Sequence, residues 1–250
     1  MIHLPARRLA LMFVLALVAA AQAQATQLRL VTSVWPPYVA ENLPNGGLAM
    51  DIVETAFKRA GYTTDVKVQN WTRNLQGVEI GVYDVVCTIW YTNERARKLA
   101  YSEPYLPTEI VFIKRRGGNW AFRSMASLDG LTIGTVYDYA YGQAFDKATN
   151  FRKIPQKHLL QNLLKLVNGQ IDMTLDDRRV LEHDIDEYLS KSADKLEFVS
   201  PPLEKRELHI AVSRQTPDHE KIVSDFNSAL ASMQRDGTYE AILARHGDDG

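Results

Sequence analysis

The chain has 250 residues and a formal net charge of −1, with 46% hydrophobic and 24% charged residues. This composition is ordinary for a globular protein and excludes wholesale disorder. Because the charges nearly balance and form no basic stripe, the composition argues against a nucleic-acid partner.

The first 25 residues have the pattern of a secretory signal peptide. Two arginines form a basic segment, residues 9–21 are an uninterrupted apolar stretch, and small-x-small motifs allow cleavage after Ala23 or Ala25. An uncleaved membrane anchor is the alternative, but the apolar run is shorter than the about 20 residues that a membrane-spanning helix needs. We therefore expect an exported protein.

The first part of the exported chain alternates strands and helices. Apolar alternation predicts strands at 28–32, 66–68 and 83–89, and helical spacing predicts helices from Asp51 and over 73–81. Between the first strand and the first helix, the Trp-Pro-Pro-Tyr segment from Trp35 to Tyr38 is a predicted loop, because its two prolines remove two backbone donors. This order is typical of an α/β protein with a mainly parallel sheet.

The stretch from Asp84 to Tyr105 is the most informative part of the sequence. A strand carrying Thr88 and Trp90 runs into a polar turn, and Arg95 is predicted to begin a helix that ends before Tyr105. Arginine binds a carboxylate bidentately through its planar fork. A hydroxyl, an indole and a guanidinium at one sheet edge therefore predict a site for a small anionic molecule.

A second α/β unit follows the first. Strands are predicted at 109–114, 131–135, 171–175, 196–199 and 208–212, and helices at 141–147, 158–168, 178–189, 218–234 and 238–245. The strands at 109–114 and 207–212 are the predicted crossovers between the units.

We therefore predict an α/β fold of two lobes joined by a hinge of two crossover strands. The first lobe comprises 26–115 and 205–250, and the second comprises 116–204. Ligands of open α/β sheets bind outside the carboxyl ends of the strands, which places the ligand in the cleft between the lobes. The only cysteine, Cys87, excludes an intramolecular disulfide and is interpreted as a buried strand residue.

Seven short motifs occur in an order that resembles the bacterial periplasmic solute-binding proteins of family 3, the substrate-binding components of polar amino-acid ABC importers. They are Trp35–Tyr38, Gly47 with Asp51-Ile52, Gly81–Asp84, Thr92–Arg95, Tyr101–Tyr105, Gly169–Asp172 with Asp177, and Met233–Tyr239. The resemblance covers the whole exported chain. It implies a type II periplasmic binding protein, monomeric, that binds a small-molecule solute and meets an inner-membrane ABC permease transiently. It implies no cofactor, no metal and no catalytic residue.

The resemblance also implies roles for individual residues. Arg95 is expected to bind the ligand's α-carboxylate and Thr88 to help hold its α-ammonium group. Asp177, with Asp176 as its alternative, is expected to complete the ammonium pocket from the second lobe. The family packs the ligand side chain against aromatic residues, here Trp35, Tyr38 and Trp71.

The chain departs from the family pattern at two places. Trp90 stands where the family often has a small residue, and Asp138-Tyr139 replace a Gly-Thr pair that donates to the carboxylate. We expect Trp90 to fill space or stack on the ligand and Tyr139 to contact it, whereas an inward Asp138 would repel a carboxylate. These departures favour a larger or more cationic solute, or an amine that is not an amino acid.

Other interpretations remain open from the sequence. Arg95 also fits a surface arginine, Asp177 a helix cap, and each tryptophan a core residue. A sensory binding protein fits the same pattern. So does an exported enzyme such as a cyclohexadienyl dehydratase-like lyase, in which Asp138, Asp177 or Glu103 would be the candidate acid.

Overall fold

A computed structural model describes residues 26–247 of the chain. The predicted signal peptide and its two cleavage sites lie outside the described residues. Across 26–247, no helix combines the length and the apolar character that crossing a membrane requires.

Strands and helices alternate through most of the described chain. The strands are β1 Gln27–Thr32, β2 Thr63–Val68, β3 Val85–Trp90, β4 Leu99–Tyr101, β5 Leu106–Arg115, β6 Thr132–Val136, β7 Arg152–Gln156, β8 Met173–Asp177, β9 Leu196–Phe198 and β10 Glu204–Ser213. The α-helices are α1 Leu48–Arg59, α2 Trp71–Glu79, α3 Gln143–Lys147, α4 Leu159–Val167, α5 Arg178–Tyr188, α6 His219–Arg235 and α7 Thr238–Arg245.

The sheet has the strand order β2-β1-β3-β10-β5-β8-β6-β7, with β4 added beside β10 and β9 beside β5. Strand β1 is parallel to β2 and β3, and β6 is parallel to β7 and β8. The central strands β5 and β10 run antiparallel to each other and to their outer neighbours. The predicted α/β two-lobed fold is confirmed.

Strands β5 and β10 are the crossovers between the lobes. They pair with each other over Leu106–Ile110 and Glu204–Leu208, and both are longer than the sequence predicted. We use "first lobe" for β1–β4 with α1, α2, α6 and α7, and "second lobe" for β6–β9 with α3–α5. The exact lobe boundaries at residues 115 and 205 stay predictions.

The segment after Arg95 differs from the prediction of a helix. Arg95–Arg97 form only one 3-10 turn, and the chain then enters strand β4. Leu99 is fully buried there, in an apolar cluster that includes Val31 and Val86. Pairing with β10 satisfies the backbone hydrogen bonds of this segment and at the same time buries Leu99. A surface helix here would not achieve both.

Helix α1 also begins earlier than predicted, at Leu48, so that Asp51 lies inside its first turn. Asp51 is buried and accepts hydrogen bonds from Arg245 (2.5 Å) and His246 (3.0 Å). The acidic side chain near the start of α1 therefore holds the end of the last helix.

A second buried aspartate, Asp84, joins β1 to the entrance of β3. Its carboxylate accepts from the backbone N–H and guanidinium of Arg29 at 2.7–2.9 Å and from the Thr216 hydroxyl at 3.0 Å. Burial by itself raises the pKa of Asp84, but the bonds from Arg29 and Thr216 outweigh burial and lower its pKa. The ionised form is therefore stabilised in the folded chain.

Replacing Asp84 by asparagine is expected to cost about 1–2 kcal/mol of unfolding free energy at pH 7. A folded-state pKa below the unfolded value gives stability that is present above the unfolded pKa and is lost as the pH falls through the folded pKa. Urea unfolding should therefore show the difference from wild type at pH 7 and its progressive decrease as the pH falls below about 4. The control, Asp65→Asn at a half-exposed pair with Lys67, should change little; an Asp84 effect independent of pH would contradict this account.

Candidate functional site

The end of strand β3 brings three predicted site residues together. All six residues of β3 are buried, and alternation along the strand places Thr88 and Trp90 on the same face. The 3-10 turn that follows is held by a bond from the Arg95 N–H to the Thr92 hydroxyl (3.1 Å), so the chain turns back. The Arg95 guanidinium then donates to the carbonyl of Trp90 at 3.2 Å.

Arg95 is a buried cation that is paired only with neutral groups. Its side chain donates to the carbonyl of Asp138 at 2.6 Å and lies 5.2 Å from the ring centre of Trp71. The residue is 7% exposed, and burial lowers the pKa of its guanidinium. Among residues 26–247, no carboxylate lies within ion-pair distance of Arg95. A buried guanidinium of this kind favours an anionic group in its vicinity.

Aromatic rings form the wall of a small cavity beside Arg95. Trp90 lies 5.6 Å from Trp35 and 5.6 Å from Tyr139, and Trp71 lies 6.0 Å from Tyr139. The cavity has a volume of about 30 Å³. Its lining includes six of the eight predicted ligand-binding residues: Trp35, Trp71, Thr88, Trp90, Arg95 and Tyr139. Residues from both lobes therefore meet where the sequence predicted the cleft.

Tyr38 and Asp177, the other two predicted residues, are not part of the cavity lining. The Tyr38 hydroxyl donates to Asp177 at 2.8 Å and so connects the lobes. The Asp177 carboxylate also accepts from the N–H groups of Arg179 (2.9 Å) and Glu109 (3.0 Å), which caps helix α5 and fixes β5. Burial raises the pKa of Asp177 despite these bonds. Asp177 thus has the capping geometry that the sequence offered as its alternative.

Asp176 is the buried acid with an unused oxygen. It is fully buried, and its Oδ1 accepts from the Asp177 N–H (2.8 Å) and from the Trp35 indole N–H (3.4 Å). Its Oδ2 has no hydrogen-bond partner among the described residues. Burial raises the pKa of Asp176 well above its usual range. An unsatisfied buried carboxyl oxygen costs free energy and is a favourable acceptor for an incoming donor.

The loop at Asp138 closes the cleft directly. Asp138 has a left-handed backbone (φ 59°), and its carbonyl accepts from both Arg95 and the Trp71 indole N–H (3.0 Å). Its carboxylate accepts from the hydroxyl of Thr72, in the first turn of helix α2. The Asp138 carboxylate therefore points towards a helix N-terminus, where negative charge is favourable, rather than towards the guanidinium of Arg95.

The sequence interpretation did not identify Thr72, nor Thr108 and Arg206 of the hinge strands. Thr108 accepts from the Trp90 indole, and the Arg206 guanidinium lies 5.7 Å from the same ring. Thr72 could have been found from its position in the first helical turn after Asn70, which caps helix α2. The contacts of Thr108 and Arg206 with Trp90 join segments that are distant in the chain, so no pattern in the sequence indicates them. Within residues 26–247, no three acidic, cysteine or histidine side chains are grouped to hold a metal ion.

Comparisons with known proteins agree on the family of this chain. Residues 28–249 match the model for bacterial extracellular solute-binding proteins, family 3. The L-cystine-binding protein TcyJ of Escherichia coli is 25% identical over 204 residues, covering 78% of this chain and 72% of that protein. The arginine-binding periplasmic protein of Mannheimia haemolytica is 24% identical over 229 residues, covering 88% and 90%.

The solved structures show the same fold. An ancestral arginine-binding protein bound to arginine superposes with a TM-score of 0.74 at 21% sequence identity, covering 88% of this chain and 97% of that one.

Proposed function

Because the chain belongs to family 3 of the bacterial extracellular solute-binding proteins, we propose that it binds a small polar or cationic amino-acid-like solute between its lobes. The solute is then delivered to an ABC importer of the inner membrane. Relatives are named for binding L-cystine and arginine, which supports an amino-acid-like solute and a binding role in place of an enzymatic one.

One observation carries this proposal: a buried guanidinium without a counter-ion and a buried carboxyl with an unused oxygen, from opposite lobes, border the same aromatic cluster. Arg95 of the first lobe faces only carbonyl groups, and Asp176 of the second lobe keeps one oxygen without a partner. A zwitterion needs a cationic and an anionic anchor in a site drier than water. We propose Arg95 as the carboxylate anchor and the Asp176-Asp177 pair as the ammonium anchor, with Asp176 supplying the free oxygen.

Binding then closes the protein by a population shift. A solute that contacts Arg95 and Asp176 together binds the closed arrangement better than the open one, since only closure brings both anchors within reach. Each charge-assisted hydrogen bond contributes roughly 1.5–3 kcal/mol. Thr88 and the rings of Trp35, Trp71 and Tyr139 would surround the remainder of the solute.

The test is calorimetry of wild type and Asp176→Asn against L-alanine, L-glutamine and L-arginine. With the pKa of Asp176 raised, its carboxyl is protonated in the solute-free protein at pH values below that pKa. An arriving ammonium group favours the carboxylate, so wild type should release protons when it binds a solute at pH values between the pKa of Asp176 in the bound protein and its raised pKa in the solute-free protein. Asp176→Asn should release none and bind about tenfold more weakly.

Titrations in two buffers of different ionisation enthalpy measure the released proton. The control Asp186→Asn changes an exposed acid of α5 and should behave as wild type. Equal proton release from wild type and Asp176→Asn would exclude Asp176 as the ammonium anchor. Failure of all three amino acids to bind wild type would contradict the proposed function itself.

We further propose that residues 1–25 direct export to the periplasm, are removed there, and leave a monomer that contacts the permease only transiently. The apolar stretch and the two cleavage motifs support this proposal. Amino-terminal sequencing of the periplasmic protein should begin at Gln24 or Thr26, and an intact Met1 would contradict it.

A further inference from the structure

We propose that Trp90 is the residue that limits the size of the solute, so that wild type selects solutes with few side-chain atoms. This inference rests on the proposed function and assigns a substrate class to the same site. It is carried by the position of the indole in the cavity and by the way the indole is anchored.

Trp90 occupies the centre of the aromatic cluster. Its ring lies 5.6 Å from Trp35, 5.6 Å from Tyr139 and 6.4 Å from Tyr141, and it is 6% exposed. Its carbonyl also accepts the 3.2 Å bond from Arg95. Both Trp90 and Arg95 line the small cavity, so a solute group that reaches Arg95 through it lies close to this indole.

The indole of Trp90 is anchored to the hinge. Its Nε1–H donates to the Thr108 hydroxyl at 3.1 Å, and that hydroxyl donates to the carbonyl of Arg206 at 2.9 Å. Thr108 and Arg206 are a directly paired couple of β5 and β10. The Arg206 guanidinium covers the indole at 5.7 Å and donates to the carbonyl of Tyr91 at 2.6 Å.

The other two cavity tryptophans are held differently. Trp35 donates to Asp176 and Trp71 donates to the carbonyl of Asp138, so both indole N–H groups bond across the cleft to the second lobe. Opening the lobes breaks those two bonds and frees both rings to adjust. The bonds of Trp90 run to the hinge strands and persist when the lobes separate. Trp90 is consequently the fixed wall of the cavity.

A fixed wall sets a size limit. The space beside the Trp90 indole is about 30 Å³ and has room for two or three water molecules at most, since each needs at least about 10–15 Å³ by this measure. A solute group that enters this space must gain further room from the movable rings and from partial opening. Each additional side-chain atom therefore costs closure contacts, such as the Thr72 bond to Asp138, unless the Trp90 indole is removed.

The experiment measures solute affinity by calorimetry with the refolded mature protein and a size series of probes: glycine, L-alanine, L-glutamine and L-arginine. For wild type we expect affinity to be higher for L-alanine than for L-glutamine and L-arginine. In Trp90→Ala, the ratio of affinities for L-arginine over L-alanine should rise about tenfold or more, because space replaces the indole.

Three variants make the result specific. Trp90→Phe keeps a ring in the same place and should keep the wild-type size order, and Trp90→Leu replaces Trp90→Ala if the latter does not fold. Trp120→Ala removes a tryptophan that is 39% exposed and absent from the cavity lining, and should behave as wild type. An unchanged size order in both Trp90→Ala and Trp90→Leu, or a wild type that prefers L-arginine, overturns this proposal while leaving the proposed function intact. No binding of any probe to wild type overturns both.

Discussion

Replacing Arg95 by alanine is expected to lower the affinity for the solute about 100-fold, equivalent to roughly 3 kcal/mol. The guanidinium is buried and faces two carbonyl oxygens without a counter-ion. Its removal leaves a carboxylate of the solute desolvated and unpaired in the closed cleft. Arg95→Lys should fall between wild type and alanine, because an ammonium group keeps the charge but cannot make the bidentate contact.

Calorimetry against the tightest-binding amino acid of the panel measures this loss. Arg97→Ala is the matched control, since Arg97 lies two residues further along the same turn and is exposed. Arg97→Ala should retain wild-type affinity. An Arg95→Ala protein that unfolds as wild type does and keeps its affinity would show that Arg95 only holds the Asp138 loop.

The second large effect is expected on stability, from Gly47→Ala. Gly47 has φ 102°, a backbone conformation that other residues rarely adopt, and a Cβ there would lie 2.6 Å from the carbonyl oxygen of Tyr38. The neighbours cannot move away, because the N–H groups of Leu48 and Ala49 bond to the carbonyls of Pro37 and Tyr38 at 3.2 and 3.0 Å. Backbone strain and overlap together should cost about 3–4 kcal/mol.

Gly61→Ala separates these two contributions. Gly61 also has a positive φ, 88°, but a Cβ there would meet no atom within 4 Å. In Gly61→Ala, the free energy of unfolding should fall by only about 1 kcal/mol, the contribution of the unfavourable backbone conformation. Urea unfolding followed by tryptophan fluorescence measures it. Equal losses for the two variants would mean that the contact of Gly47 with the Tyr38 segment is not a tight one.

The Trp35–Tyr38 loop carries a cavity ring, so Gly47→Ala should also weaken solute binding.

The closed cleft combines the proposed solute anchors with contacts that the lobes make by themselves. Thr72, Trp71 and Arg95 of the first lobe all donate to Asp138, and Tyr38 donates to Asp177. A solute that binds Arg95 competes with the Asp138 carbonyl for one of its N–H groups. Part of the free energy of binding is therefore used to replace an existing interlobe bond, which lowers the affinity that the anchors alone would give.

Local patterns were sufficient for most of the fold. Apolar alternation identified β1, β3 and the crossover strands, and helical spacing identified α1 and α4, because these elements bury a face whose period is visible in the sequence. Strand β4 was mistaken for a helix, because three residues carry no period and the pairing partner β10 is more than a hundred residues away. The edge strand β7 was missed for a similar reason, since Pro155 argues against a strand unless it lies at an edge.

For the site, the sequence predicted which residues lie at the cleft. Arg95, Thr88 and the aromatic residues follow from strand ends and from the family resemblance, and six of the eight line one cavity. The hydrogen-bond partners of their polar atoms, in contrast, depend on contacts between distant segments of the folded chain. The Asp177 carboxylate accepts hydrogen bonds from the start of helix α5 and from Tyr38, whereas Asp176 keeps one oxygen free. The Trp90 indole is held by Thr108 and Arg206. Hydrogen bonds and desolvation depend on partners that are distant in the chain, so no local pattern records them.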